Sequence, residues 1–251
     1  MKFITWNVNG LRAIAKKGFK EWVAETRPTA LFLQEIKSLS SQIKEDEFLP
    51  EGYTMYWHSA QKPGYSGTAA LCRIPPLSMS TLEIPEFDSE GRCQILEFDD
   101  LYVMNAYFPN SQEGGKRLDY KIAFCNAFYK KASQLSQSSK GVLMCGDFNI
   151  AHKPIDLAHP KANEDSPGYL PEERAWMDFF TEKGFVDIFR TFNQQPHQYT
   201  WWSYRSNARA NNVGWRIDYF CTDSKTAPRV RKSEILAQVT GSDHCPVLIE
   251  L

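Results

Sequence analysis

Nine short apolar runs restrict the fold more than anything else in this chain: 3 to 6, 31 to 34, 53 to 57, 68 to 73, 94 to 98, 101 to 107, 142 to 147, 216 to 222 and 246 to 251. Each has the length of a β-strand, and helical patterns lie between them. The fold class is therefore α/β with mixed sheets. So many strands exceed one small sheet, and several look buried on one side only, which predicts two packed sheets with helices outside. The runs also break off at polar residues. Phe3-Ile4-Thr5-Trp6 runs into Asn7, Leu31-Phe32-Leu33-Gln34 into Glu35, and Val142-Leu143-Met144-Cys145 into Gly146-Asp147-Phe148-Asn149. Asp218 opens Tyr219-Phe220-Cys221, and Asp243-His244 precedes Val247-Leu248-Ile249. Polar ends recurring on buried strands predict one shared site.

No run approaches the ~20 apolar residues that span a bilayer, and Met1-Lys2 leads straight into a strand. The expectation is a cytoplasmic protein without membrane association or a targeting segment, at the nucleoid if the source is prokaryotic. No Gly/Ser-rich or Pro-rich linker divides the 251 residues, and site candidates come from both ends, so residues 1–251 are read as a single domain. The six cysteines are widely spaced with no Cys-x-x-Cys pair, which predicts buried free thiols.

The segment Asp119 to Leu135 places Ile122, Cys125, Phe128, Tyr129, Ala132 and Leu135 at helical spacing. A second helix is predicted from Pro171, with Glu172 and Glu173 in its first turn, burying Trp176, Phe179 and Phe180 and stopping at Gly184. The turns Trp6-Asn7-Val8-Asn9 and Asp147-Phe148-Asn149 hint at two related layers packed face to face. The net charge of -1 argues against a uniformly cationic surface, but residues 205 to 232 are mostly basic and 83 to 100 mostly acidic. That asymmetry suggests one basic and one acidic face.

Glu35, Asp147 and Asp243, with the amides Asn7, Asn9 and Asn149, form an oxygen-rich set that suits Mg²⁺, with Mn²⁺ able to substitute. Any one of these residues alone reads as a turn or cap. Taken together they demand a common explanation. His244, with Asp243 beside it and Asp218 available from a neighbouring strand, fits an oriented imidazole. No Gly-x-Ser-x-Gly elbow is present. An Asp/His pair with a hard metal and no nucleophilic side chain points to metal-assisted attack of water on a phosphodiester. His152 is placed near the site as a supporting residue, and His58, His159 and His197 at the surface.

Trp6-Asn7-Val8-Asn9-Gly10-Leu11-Arg12-Ala13, Leu33-Gln34-Glu35-Ile36-Lys37, Tyr65-Ser66-Gly67 and Asn105-Ala106-Tyr107-Phe108-Pro109-Asn110 appear in that order. Cys145 to His152, Asn211 to Phe220 and Gly241 to Pro246 follow. Nearly end to end, this series resembles the exonuclease III type of apurinic/apyrimidinic (AP) endonuclease. The resemblance implies a four-layer α/β sandwich that cuts duplex DNA at abasic sites and clears 3′ ends. It implies Glu35 as the main Mg²⁺ carboxylate with Asn7 and Asp243 near the metal, and Asp147, Asn149 and His244 completing its surroundings. Asp147 would position or deprotonate water, and Asn149 would hold that water or the phosphoryl oxygens. Tyr107 would hydrogen-bond the phosphate. His244, held by Asp218, would contact the scissile phosphate as a cation or a base.

Trp201, Trp215 and Ile217 match the family's pocket for a flipped abasic sugar, and Arg12, Lys37, Tyr65 and Arg117 match backbone-contact positions. Trp202 is read as core. The implied partner is duplex DNA with an abasic site or a 3′ end, bound by a monomer with no obligate protein partner. Three positions depart from the pattern. Asn9 stands where some relatives carry Asp, Glu113 where others carry an inserting Arg, and Trp201 where others carry a smaller aromatic. A phosphodiesterase for lipid or inositol phosphates would share the metal and His244 but lack the aromatic pocket with Arg12 and Arg117. A catalytically silent DNA-binding protein on the same fold would not need every central acid.

Overall fold

The computed structural model describes the backbone of residues 1–251 and every side chain except those of residues 46 and 47. Its first sheet is built from β1 (Lys2–Asn7), β2 (Ala30–Gln34), β3 (Thr54–His58), β4 (Thr68–Cys72), β11 (Lys232–Ile235) and β12 (Val247–Glu250), ordered β11-β12-β1-β2-β4-β3. The second is built from β5 (Ser78–Ser80), β6 (Cys93–Glu97), β7 (Leu101–Tyr107), β8 (Gly141–Asp147), β9 (Phe185–Asp187) and β10 (Asp218–Asp223), ordered β5-β6-β7-β8-β10-β9.

All nine predicted strands form, with ends shifted by one or two residues. The largest shift is at β10, where Arg216 and Ile217 stay outside the ladder. β5, β9 and β11 have three or four residues each and lie at or beside sheet edges, too short for alternation to be read from sequence.

Both sheets follow one plan, a central parallel pair with antiparallel strands on either side. The plan equates β1 with β7 and β2 with β8, so the end of β1 at Asn7 corresponds to the end of β7 at Tyr107. Two related layers are therefore present, but the Asn7 and Asn149 turns are not equivalent in them. The inner faces pack Phe3, Phe32, Leu96, Val103, Leu143 and Phe220 into a common core.

Helices α1 (Leu11–Ala15), α2 (Phe19–Thr26) and α3 (Glu45–Phe48) lie outside the first sheet. Outside the second lie α4 (Pro85–Asp88), α5 (Leu118–Ser136) and α6 (Pro171–Glu182), and the short α7 (Ile188–Phe192) packs near β10. This is the four-layer sandwich. On α5, Phe124, Cys125, Phe128 and Ala132 are buried, while Ile122, Tyr129 and Leu135 are only half-buried. Phe179 on α6 is likewise half-buried, against the Tyr129 ring. All six cysteines are buried and free.

Register brings the polar strand ends together. Asp218 opens β10 directly opposite Asp147, the last residue of β8, and Tyr107 stands opposite Asp147 on the other side. Val247 pairs with Thr5, which delivers the Gly241–Pro246 segment to the Asn7 end of β1. Gly146 permits the approach of β7 to β8: a Cβ there would lie 1.9 Å from the Ala106 carbonyl oxygen.

Candidate active site

The strand ends form the floor of a cavity of about 690 Å³. Glu35, Tyr107, Asp147, Asn149, Asp243 and His244 line it, and Trp201, Trp215 and Ile217 form a wall with Gly168. Two floor residues sit just past their strands in the left-handed region, Glu35 at φ 50° and Asn149 at φ 51°. That conformation costs a non-glycine residue on the order of 1 kcal/mol or more, so neighbouring bonds must impose it. Around Glu35, the Gly10 amide donates to its carbonyl at 2.8 Å and the Ile36 amide donates to Gly67 O at 3.2 Å.

Asp147 is almost fully buried. Its Oδ2 accepts from Asn7 Nδ2 at 2.9 Å, and its Oδ1 accepts from the Asn149 amide at 2.8 Å. Burial and the charge of Asp218 push its carboxyl upward, against the pull of His244 and the Asn7 hydrogen bond. His244 Nδ1 lies 2.9 Å from Asp218 Oδ2, and its Nε2 lies 3.9 Å from Asp147 Oδ2. Burial works against the imidazolium, but Asp218 first and then Asp147 and Asp243 outweigh it, raising its pKa to about 10.

Asp218 is itself held by Thr200, whose hydroxyl donates to Asp218 Oδ2 at 2.5 Å and accepts the Ile217 and Asp218 amides at 3.1 Å. Sequence reasoning missed Thr200, since a single Thr before Trp201-Trp202 carries no pattern.

Glu35 accepts the Tyr107 hydroxyl and pairs with Lys37 Nζ at 2.7 Å. Burial raises its carboxyl, while Lys37, Tyr107 and His244 together hold it below the ordinary carboxylate range. Asn9 bridges the cluster: its Oδ1 accepts from Lys37 Nζ at 2.6 Å and its Nδ2 donates to Asp243 Oδ1 at 2.9 Å. An Asp in its place would turn a carboxylate, not a donor, toward Asp243. Trp201 Nε1 donates to Asp243 Oδ2 at 3.1 Å, so the cavity wall is tied to a carboxylate of the floor. Burial raises the Asp243 carboxyl too, but His244, Asn9 and Trp201 bring it below the ordinary range.

The donor set fits a hard divalent cation: oxygen atoms of carboxylates and amides, one imidazole and no thiol. Among the described residues, Asp147, Asp218 and His244 place ligand atoms within 4.8 Å of one another, and buried Asp218 Oδ1 has no hydrogen-bond partner. Asn7 is buried at the same floor, though its amide nitrogen is committed to Asp147.

The expected DNA-contact residues divide. Arg12 and Lys37 line a neighbouring groove with Lys16 and Lys17, outside the main cavity. Tyr65 receives Arg117 at 2.7 Å and the buried Arg92 at 2.9 Å, and both arginines also pair with Glu90. Arg92 spans Tyr65 and Tyr107, stacking on the Tyr107 ring at 5.0 Å. Its burial is invisible in a stretch that reads as acidic surface. Trp202 is core, as expected.

Other expectations are corrected. His152 is buried but directs Nε2 to Asp178 on α6 at 2.8 Å, so it braces the loop against a helix and does not support Asp147. His58 is half-buried, with Nδ1 3.0 Å from Cys93 O, whereas His159 and His197 are exposed. The basic run 205 to 232 is no single face. Arg216 is buried between Asp156 and Asp187, Arg209 donates to the carbonyls of Ser242, Ala237 and Val239, and Arg229 pairs with Asp100 of the acidic run. Of the basic residues in that run, Arg205 lines the cavity.

The profile of the Endonuclease/Exonuclease/phosphatase family matches residues 4–244. An exodeoxyribonuclease of Bacillus subtilis is 43% identical over 250 residues, covering 98% of both chains. The DNA repair nuclease APEX1 of Danio rerio is 41% identical, covering 100% of this chain and 82% of that one. The crystal structure of the AP endonuclease LMAP from Leishmania major superposes with a TM-score of 0.88 at 30% identity, over 99% of this chain and 86% of that one.

Proposed function

Because the chain belongs to the Endonuclease/Exonuclease/phosphatase family, in the group that holds exodeoxyribonucleases and AP endonucleases, we propose that it hydrolyses duplex DNA 5′ to abasic sites, leaving a 3′ hydroxyl. It also removes nucleotides or blocking groups from 3′ ends. The observation that carries this reading is the junction of two surfaces: a floor of Glu35, Asp147 and His244 meets a wall of Trp201, Trp215 and Ile217. An abasic deoxyribose fits against apolar rings, and its 5′ phosphate then faces the polar floor. Lipid and inositol phosphates leave the aromatic wall without a role.

Asp147 takes the proton of the attacking water. Its raised proton affinity and its contact with Asn149 suit it to that task, whereas His244, kept protonated by Asp218, suits charge stabilisation. This favours Asp147 over His244 as the base. On substrate binding, Tyr107 Oη turns from Glu35, and Asn149 Nδ2 from Phe108 O, to the non-bridging oxygens, while the P–O3′ bond breaks and the departing O3′ alkoxide of the preceding nucleotide takes a proton from water to become the 3′ hydroxyl. Glu35 would hold Mg²⁺ with Asp243 and Asn7 beside it, and Asp147, Asn149 and His244 would complete the surroundings. Such an ion, when bound, would supply Lewis-acid charge at the phosphate.

Arg12, Lys37, Tyr65 and Arg117 take backbone phosphates by shape and charge. The protein works as a cytoplasmic monomer with no obligate protein partner. Among the described residues, no helix is long and apolar enough to cross a membrane. Cleavage of an abasic duplex in Mg²⁺ and in EDTA tests the reading.

A further inference from the structure

Lys121 and Glu173 are fully buried and form an ion pair at 2.6 Å, Lys121 on the first turn of α5 and Glu173 on the first turn of α6. The sequence places Glu173 beside Glu172 in the first turn of its helix, with nothing to mark it as buried. Its carboxylate is instead saturated: Oε1 accepts from Lys121 Nζ and from Ser111 Oγ at 2.5 Å, and Oε2 accepts from the amides of Gly168 at 2.8 Å and Leu170 at 2.9 Å. The ammonium of Lys121 also donates to the backbone carbonyl of Asn149 at 2.6 Å.

Taking two charges out of water is costly, and such a pair is weak evidence for stability. What it reaches is more informative. Asn149 holds a left-handed backbone at the cavity floor, Ser111 follows Asn110, whose amide donates to Asn149 Oδ1 at 3.3 Å, and Gly168 belongs to the wall. These loops touch. The Ala151 amide donates to Gly168 O at 2.8 Å, and a Cβ on Gly168, at φ 93°, would come within 3.1 Å of the Asn149 carbonyl oxygen.

We propose that Lys121 and Glu173 are positioning residues for phosphodiester cleavage, a buried charged clamp that fixes the Asn149 amide against the scissile phosphate and sets the distance from floor to wall. The inference rests on the hydrolytic reading above. Neither side chain meets DNA, so the clamp acts on the turnover of bound substrate and not on its capture.

The test compares wild-type protein, Lys121→Arg, Glu173→Gln and the double variant Lys121→Met/Glu173→Gln, each at a temperature where circular dichroism finds it folded. Substrate is a duplex with an abasic analogue, in Mg²⁺. Wild-type cleavage is the control for the hydrolytic reading, and its absence would sink that reading before the clamp is judged. With wild type active, kcat should fall by about 10-fold or more in Glu173→Gln and the double variant, with KM within about threefold of wild type. Lys121→Arg, which keeps the charge and the donors, should recover most of the rate. Wild-type kcat in folded Glu173→Gln overturns the proposal even if the double variant does not fold. Losses confined to KM, or equal losses in Lys121→Arg and the double variant, also overturn it.

Discussion

Asp218 Oδ2 stands 2.9 Å from His244 Nδ1 and orients the imidazole so that the opposite nitrogen faces the cavity. This pairing keeps the ring cationic, with a pKa of about 10 against an ordinary 6.5. Asp218→Asn removes the nearest anion and moves that pKa down. The cleavage rate of the variant should therefore fall further at about pH 9 than at about pH 6, relative to wild type. A parallel pH profile in both proteins would assign Asp218 a role other than charge.

Asp147→Asn should lower single-turnover cleavage by at least ~100-fold, since the base is lost and one of the two donors now accepted by the carboxylate, Asn7 Nδ2 or the Asn149 amide, meets an NH2 group instead. Turnover near that of wild type would remove Asp147 from the chemistry.

Thr200→Val deletes the hydroxyl that holds Asp218 and strands two buried amides. Urea unfolding should show a loss of about 1 to 3 kcal/mol. Activity should fall as well, because Asp218 is no longer fixed. An unchanged urea midpoint would contradict this reading of Thr200.

Asp156 links structure to acid stability. Burial raises its carboxyl, but Arg216 at 2.8 Å and Arg190 at 2.6 Å more than offset this and hold it at about 2, against 3.8 when free. A depressed folded-state value means that the stabilisation is complete above about pH 4 and is lost as pH falls toward 2. It amounts to about 2 kcal/mol. Urea midpoints between about pH 5 and pH 2 measure it, and a midpoint independent of pH would refute the linkage.

Arg12 lies exposed in the basic groove with Lys16 and Lys17. Affinity for duplex DNA should fall steeply with salt, and Arg12→Ala should reduce the slope of log K against log salt by about one. A slope unchanged by the substitution would place the DNA elsewhere.

Strand-end chemistry was legible in the sequence because an apolar run that stops at Asn7 or Asp147, or opens at Asp218, announces both a buried strand and its polar terminus. The helix at 118–136 was legible from its spacing. What escaped were charged residues whose burial depends on partners far along the chain. Lys121 looks like a solvated helix residue until Glu173 is placed beside it, and Arg92 and Arg216 look like surface until Tyr65, Tyr107 and Asp156 enclose them. The basic run 205 to 232 misled for the same reason: charge in sequence says nothing of which carbonyl or carboxylate a guanidinium will meet. The edge strands β5, β9 and β11 and the short helices α1, α3, α4 and α7 are held by tertiary packing, and local periodicity is too brief to reveal them.

The most direct measurement is cleavage of a duplex oligonucleotide bearing one abasic analogue, followed on a denaturing gel in Mg²⁺ and in EDTA. A single cut 5′ to the lesion, leaving an extendable 3′ hydroxyl in Mg²⁺ and none in EDTA, is the expected result. An intact abasic strand after incubation of folded protein with Mg²⁺ contradicts the assignment.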